Sequence, residues 1–249
     1  IIIGFISGLI GQATASYDRI LEVLNAPERK DEWKIIHELE GRIDVKDVSL
    51  IIGEKSILKE VSFGITPGTK TAIMGPTAAG KTQLLYLLTG LLQPTTGTIQ
   101  YDGRDIASLD KKSFHSQVGL VFQDSIIFNL SLRENIAFSN TVDDESIKKA
   151  IDTTELHEFI ESLPQKLDTI VSERGSSLSG WQKQRIMLAR ALAINPKILL
   201  LDDFTARLDT GTEGKILANI SKNYPDITLI SITQKMTTIE NYDQIILLM

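Results

Sequence analysis

The sequence predicts an α/β chain with a parallel sheet covered on both faces, an antiparallel β portion near the N-terminus and an inserted α-helical subdomain. Three observations carry this. Short runs that are apolar throughout, among them Ile198-Leu199-Leu200-Leu201, alternate with helical stretches, as strands buried on both faces do. A glycine-rich turn at 75–82 separates one such strand from a helix. From about 131 to 193 the apolar spacing is helical.

The bulk numbers agree. A chain of 249 residues can bury one sizeable core, and 42% hydrophobic with 23% charged residues is ordinary for a folded protein. A net charge of −6 without a basic run argues against nucleic acid as a partner. The absence of cysteine excludes a disulfide frame and a thiolate metal site.

Taken in order, residues 1–10 (IIIGFISGLI) have about half the length needed to span a bilayer. They lack the basic flank and cleavage site of a signal peptide. Alone, they read equally as a buried or frayed helix and as the last turns of a transmembrane helix. Residues 12–26 carry Ile20, Leu21, Val23 and Leu24 at helical spacing; Pro27 stops that helix and 28–34 form a charged linker. Strands are predicted over 42–52, 57–65 and 70–74, and a helix over 82–92, with Gly90 near its end. Turns at 94–97 and 102–103 punctuate strands around 98–101 and 118–122. Asp143-Asp144-Glu145 opens a helix with charge that suits its dipole. Pro164 breaks the helical region, and a last helix over 179–193 is closed by Asn195-Pro196. Buried strands return at 198–201, 228–233 and 245–248. The start at Ile1 and the end at Met249, inside an apolar run, read as cuts from something longer.

Gly75-Pro76-Thr77-Ala78-Ala79-Gly80-Lys81-Thr82 matches G-x-x-x-x-G-K-[ST], between a predicted strand and a predicted helix. In such a P-loop, backbone N–H groups and the helix start surround the phosphates of a nucleoside triphosphate. Lys81 would reach the β- and γ-phosphates, Thr82 would offer its hydroxyl to Mg²⁺, and Gln83 completes the nucleotide-binding set. The sheet is therefore expected to be of the P-loop, RecA-like kind. Asp202 ends the apolar run 198–201, where an acid can hold Mg²⁺. Asp203 follows with its side chain expected on the opposite side, placed to orient or deprotonate a water. His37, His115 and His157 have no ligand spacing, so no zinc site is expected. Phe114, Phe122 and Phe128 read as core or surface lining rather than as base-stacking groups. Ile126, Ile127, Phe128 and Leu130 read equally as a docking surface for a membrane-domain helix and as packing between subdomains.

These residues resemble the nucleotide-binding domain of ATP-binding cassette (ABC) transporters, over about 12–249. Leu178-Ser179-Gly180-Trp181-Gln182 resembles the family signature LSGGQ, and Gln123 resembles the glutamine that senses the γ-phosphate and Mg²⁺. Ala206-Arg207-Leu208-Asp209 is similar to the D-loop, and Glu173-Arg174-Gly175 to a loop of exporters. The stretch ASYDRILEVLNAPE resembles the linker after the sixth transmembrane helix of exporter half-transporters. The resemblance implies domains at 1–12 (the end of a transmembrane helix), 13–38 (linker helix and linker) and 39–249 (the nucleotide-binding domain, with a helical subdomain over about 126–193). It implies ATP and Mg²⁺ as cofactors. It implies a second cassette and the transmembrane domain of the same full-length chain as partners, and a place on the cytoplasmic face of the cell membrane. Nucleotide would be held by residues 75–83 and Gln123; Mg²⁺ by Thr82, Gln123 and Asp202. Lys81, Asp203 and Gln234 would serve catalysis, and Ser179, Gly180 and Gln182 would act on the partner's ATP.

Four positions depart from the family pattern. Asp203 stands where most active cassettes have Glu; acidity differs little, but the carboxylate is drawn back by one methylene. Gln234 stands where the family places His and can donate a hydrogen bond but cannot carry a proton. Leu50-Ile51-Ile52 offers no aromatic face to the base. Trp181 replaces a glycine, and either crowds the partner's ATP or points away. The first two departures resemble the weakly hydrolysing half of heterodimeric exporters. The alternatives are a homodimeric exporter with slow hydrolysis and a soluble ATPase unconnected with transport.

Overall fold

The computed structural model describes residues 2–25, 35–124, 126–138, 142–171, 178–204, 210–235, 240 and 242–249. The chain divides into two units, Ile1–Lys34 and Ile35–Met249. The first holds one helix, α1 (Ile2–Leu24), which runs unbroken across the boundary expected near residue 12. Among the described residues, no helix is long and apolar enough to cross a membrane.

In chain order the second unit holds β1 (Ile43–Ile52), β2 (Lys55–Ile65), β3 (Lys70–Met74), α2 (Lys81–Leu88), β4 (Thr96–Tyr101), β5 (Arg104–Asp105), α3 (Lys111–His115) and β6 (Val118–Val121). There follow α4 (Leu132–Ile136), α5 (Asp144–Thr153), α6 (His157–Glu161), α7 (Gly180–Ala193), β7 (Ile198–Asp202), α8 (Thr210–Asn223), β8 (Thr228–Ile232) and β9 (Gln244–Leu247). One sheet is antiparallel, in the order β2-β1-β4-β5; the other is parallel, in the order β6-β7-β8-β3-β9. The fold is thus the mixed α/β arrangement expected.

Side-chain alternation along the parallel strands feeds two cores. On β7, Ile198 and Leu200 enter a core shared with the antiparallel sheet and α2, while Leu199 and Leu201 enter a core shared with α4, α5, α7 and α8. All five residues of β7 and all five of β8 are buried, which explains the apolar run of β7 and leaves Asp202, Thr228 and Ser231 as enclosed polar groups. The outer strand β9 alternates between half-buried and exposed residues instead, because it lies at the sheet edge.

The helical stretch is four separate α-helices, with a short 3-10 helix at Lys166–Asp168, among the described residues. Ser131 and Asp143 each accept a hydrogen bond from the backbone three residues on and so start α4 and α5. Helix α2 ends at Leu88, short of the expected 92, because Thr89 caps it and Gly90 turns left-handed at φ 69°.

The sheet register sets the functional end of the molecule. Asp202 on β7 pairs with Ile232 on β8, and Ile232 pairs with Ile73 on β3. Asp203 N–H then donates to Ile232 O (3.1 Å), and Thr233 N–H to Ile73 O (3.2 Å). The segments after β7, β8 and β3 therefore leave the sheet side by side.

Helix α7 lies close across β6 at Gly119. A Cβ added there would stand 2.7 Å from Ala191 O and 3.0 Å from Leu199 Cδ1, so the helix backbone would have to move. Gly119→Ala should destabilise the fold by about 1–3 kcal/mol, read as a lower urea midpoint with an unchanged slope. An unchanged midpoint would contradict this packing.

Candidate functional site

The loop between β3 and α2 is shaped by three left-handed residues. Gly75 (φ 154°) has no room for a Cβ, which would meet Leu248 O at 2.3 Å. Gly80 (φ 87°) is also crowded: an added Cβ would stand 2.8 Å from Leu58 Cδ2 and 3.1 Å from Ile57 O. Ala78 (φ 68°) lies between them, and Ala79 N–H closes a turn onto Pro76 O (3.2 Å). No side chain caps α2, so its first-turn N–H groups are left for an anion. Lys81 is only 7% exposed and its Nζ donates to Gly75 O (2.8 Å) and Pro76 O (2.7 Å), which folds its charge into the loop.

The three predicted metal-holding residues come together. Thr82, Gln123 and Asp202 line one cleft of about 520 Å³, with Tyr86, Phe122 and Ile126 across from them. Asp202 is 2% exposed and lines this cleft beside Thr82. Burial pushes its carboxyl above the ordinary aspartate range; the nearby Thr82 hydroxyl opposes this, Asp203 adds to it and Lys81 opposes it. A buried carboxylate beside a hydroxyl and an amide, all oxygen donors, fits Mg²⁺. Among the described residues there is no cluster of three or more His, Asp or Glu of the kind that holds a transition metal.

Asp203 follows in a left-handed conformation (φ 44°), half-buried where Asp202 is enclosed, and Gln234 is exposed at the end of the neighbouring strand. Gln234 follows the strand next to β3, and Asp203 follows the strand after that, at the same end of the sheet as the glycine loop.

Sequence reasoning missed the residues that hold the Gln123 segment. Gln184 on α7 is 2% exposed and donates to Gln123 O (3.0 Å). Asn135, fully buried, accepts from Phe128 N–H (2.9 Å) and donates to the carbonyls of Phe128 (3.0 Å), Leu130 (3.2 Å) and Ser131 (3.0 Å). Arg190 donates to Asn135 O (2.6 Å), Asn135 Oδ1 (3.0 Å) and Ile126 O (3.1 Å). Burial pulls this guanidinium down to about 10, still charged at neutral pH. A polar residue on the buried face of a predicted helix was the available signal for Gln184.

The signature segment forms a helix start. Ser179 is the N-cap of α7: its Oγ accepts from Gln182 N–H (3.3 Å), and Gln182 Oε1 accepts from Ser179 N–H (2.7 Å). The Ser179 hydroxyl proton is not consumed by this box. Trp181 lies edge-on to Phe159 (6.5 Å between ring centres) and under the Arg185 guanidinium (4.2 Å). Its ring is thus engaged by the helical subdomain.

The apolar runs left open by the sequence split. Leu50 is buried, whereas Ile51 and Ile52 are exposed beyond it. Ile127 is core, whereas Ile126, Phe128 and Leu130 are exposed. Phe114 packs edge-on to Tyr101, Phe122 edge-on to Tyr86, and Phe128 stacks on Phe138. The proposed D-loop residues 206–209 and the segment 173–175 lie outside the described residues.

Residues 58–206 match the ABC transporter family. The chain is 42% identical over 249 residues to the uncharacterized ABC transporter ATP-binding protein YfiB of Bacillus subtilis, covering 98% of this chain and 43% of that protein. It is 35% identical over 243 residues to the alpha-hemolysin translocation ATP-binding protein HlyB of Escherichia coli O157:H7, covering 95% of this chain and 34% of that protein. The structure of a bacterial Atm1-family ABC exporter with ATP bound superposes with a TM-score of 0.88 at 32% identity, over 99% of this chain and 44% of that one. The chain thus spans well under half the length of these relatives.

The raised pKa of Asp202 has a consequence for stability. Its protonated form is favoured in the fold, so the stability it contributes at low pH is lost as pH rises through the raised pKa. At pH 7, without a divalent cation, Asp202→Asn should therefore raise the melting temperature by a few degrees, the difference shrinking as pH falls. The same variant should abolish any Mg²⁺-dependence of ATP binding. A variant less stable than the parent in Mg²⁺-free buffer would contradict the assignment of Asp202 as a buried, cation-seeking carboxylate.

Proposed function

The chain belongs to the ABC transporter family and is a nucleotide-binding domain of the exporter type, and on that premise we propose that it is the weakly hydrolysing half of a heterodimeric exporter. The observation that carries this is a division within one site. The groups that would bind nucleotide and metal are gathered, with the types such binding needs: the loop 75–82, Thr82, Gln123 and Asp202. The two groups that would activate water are both altered: a shortened carboxylate at Asp203 and a non-titrating amide at Gln234.

Residues 75–83 and Gln123 would bind ATP, with the N–H groups of the loop and Lys81 on its phosphates. Thr82, Gln123 and Asp202 would hold Mg²⁺, whose charge offsets that of the β- and γ-phosphates. Gln234 would donate a hydrogen bond to the γ-phosphate, without proton transfer. Asp203 would face the attacking water from too far back. A misplacement of about 1 Å can cost on the order of 100-fold in rate. Ser179, Gly180 and Gln182 would meet the ATP of a second, non-identical cassette, with the Ser179 hydroxyl and the first N–H groups of α7 as donors. The engagement of Trp181 with Phe159 and Arg185 supports its leaving that face clear.

ATP-driven closure of the two cassettes would then be transmitted to a transmembrane domain of the same full-length chain. Residues 1–12 would end one of its helices, 13–38 would link it to the cassette at 39–249, and the cassette would lie on the cytoplasmic face of the membrane. The likeness to an Atm1-family ABC exporter, and to HlyB, named for alpha-hemolysin translocation, supports export as the direction.

Asp203→Glu combined with Gln234→His should raise ATPase activity of the assembled transporter by about tenfold to 100-fold. Unchanged turnover would overturn the impaired-site reading. Transport by the full-length chain without a second subunit would overturn the heterodimer.

A further inference from the structure

We propose that Glu213 and Lys235 form a positioning pair that holds Gln234 at the terminal phosphate of the nucleotide. This rests on the reading of Gln234 given above.

Glu213 lies in the first turn of α8 and is fully buried. Its Oε2 accepts a hydrogen bond from Lys235 Nζ at 3.0 Å, while its Oε1 has no hydrogen-bond partner among the described residues. A carboxylate so enclosed is costly to desolvate, and one incompletely satisfied is a poor way to gain stability. The packing of α8 does not require it, since Ile216, Leu217 and Ile220 already bury the helix. An apolar side chain of similar volume would fill the place at less cost. What Glu213 supplies is a fixed attachment point for Lys235.

That attachment point completes a frame around Gln234. On one side, Thr233 N–H is bonded to Ile73 O on β3 (3.2 Å). On the other, Lys235 N–H returns to Thr233 Oγ1 (3.1 Å), closing a tight turn with Gln234 at its tip. Without a further tie the turn could still pivot on Thr233. The Lys235 side chain, 28% exposed, reaches inward from the turn to Glu213 and removes that freedom. Gln234 is left exposed between two anchored neighbours. Helix α8 is also the element that follows β7 and its carboxylates in the chain, so the pair ties Gln234 to the side of the site that carries Asp203. Neither Glu213 nor Lys235 touches nucleotide in this scheme; both act through the placement of Gln234.

The test is nucleotide discrimination, measured by titration of ATP and of ADP, each with Mg²⁺, into the full-length assembled protein. Gln234→Ala should weaken ATP roughly tenfold to 100-fold, the worth of a hydrogen bond to a charged group, and leave ADP unchanged. Glu213→Gln and Lys235→Met should each reproduce a substantial part of that loss for ATP alone, and Lys235→Arg should retain the parent preference. Combining Glu213→Gln with Gln234→Ala should add nothing further, because both remove one interaction. If Glu213→Gln does not fold, Lys235→Met, altered at a partly exposed head group, carries the test. Intact discrimination in the Glu213 and Lys235 variants, or losses that add to that of Gln234→Ala, would overturn the pair's role while leaving the reading of Gln234 standing. No effect of Gln234→Ala itself would overturn that reading, and the positioning role with it.

Discussion

The candidate site depends on one constraint, the register of β7, β8 and β3. These strands are neighbours in the parallel sheet, and Asp202, Ile232 and Ile73 lie level across them. The backbone bonds from Asp203 to Ile232 and from Thr233 to Ile73 extend that alignment past the strand ends. A two-residue slip of β7, which would keep its apolar faces unchanged, would move Asp202 by about 7 Å. Thr82 could not then reach it. The apolar runs thus set the distance between a phosphate loop and a carboxylate some 120 residues later in the chain.

Around that register the molecule concentrates groups that cost stability. Asp202 is buried with its carboxyl pushed upward, Asp203 adopts a left-handed backbone, and Glu213 is enclosed on α8. Gly75 and Gly80 accept conformations in which a side chain would strike backbone or core. The compensation comes from the two cores on either face of the sheet, which hold the strands rigid. Polar anchors then place the loops: Gln184 fixes Gln123 by its carbonyl, and Asn135 with Arg190 gathers the segment that follows. A mobile segment here would move Gln123 away from Thr82 and Asp202, which line the same cleft.

Much of this was legible in the sequence because its signals are local. Strand β3 was readable to the residue from an apolar run ending at glycine, and β7 to within one residue. The start of α7 was readable from Ser179, whose cap bonds close within three residues. What was not legible depends on distant partners. Asn135 reads as an ordinary helix residue until Arg190, 55 positions later, is folded against it. Helix α8 lies beyond the helix over 179–193 that the sequence gives as the last, so Glu213 on it, and its bond from Lys235, went unread. Leu50-Ile51-Ile52 reads as one apolar run, and only its place at the end of an antiparallel strand separates the buried Leu50 from its exposed neighbours. The orientation of Trp181 depended on Phe159, 22 residues away and on another helix.

The central claim is that this site holds MgATP but turns it over slowly. It is tested most directly by the chemical state of the nucleotide retained there during steady turnover of the assembled transporter. ATP labelled on both the α- and the γ-phosphate would be supplied, and the nucleotide recovered from the glycine loop of this chain after rapid cross-linking. Retention of both labels in near-equal amounts is the predicted result. Recovery of the α-label alone, as ADP, while turnover continues would contradict the account.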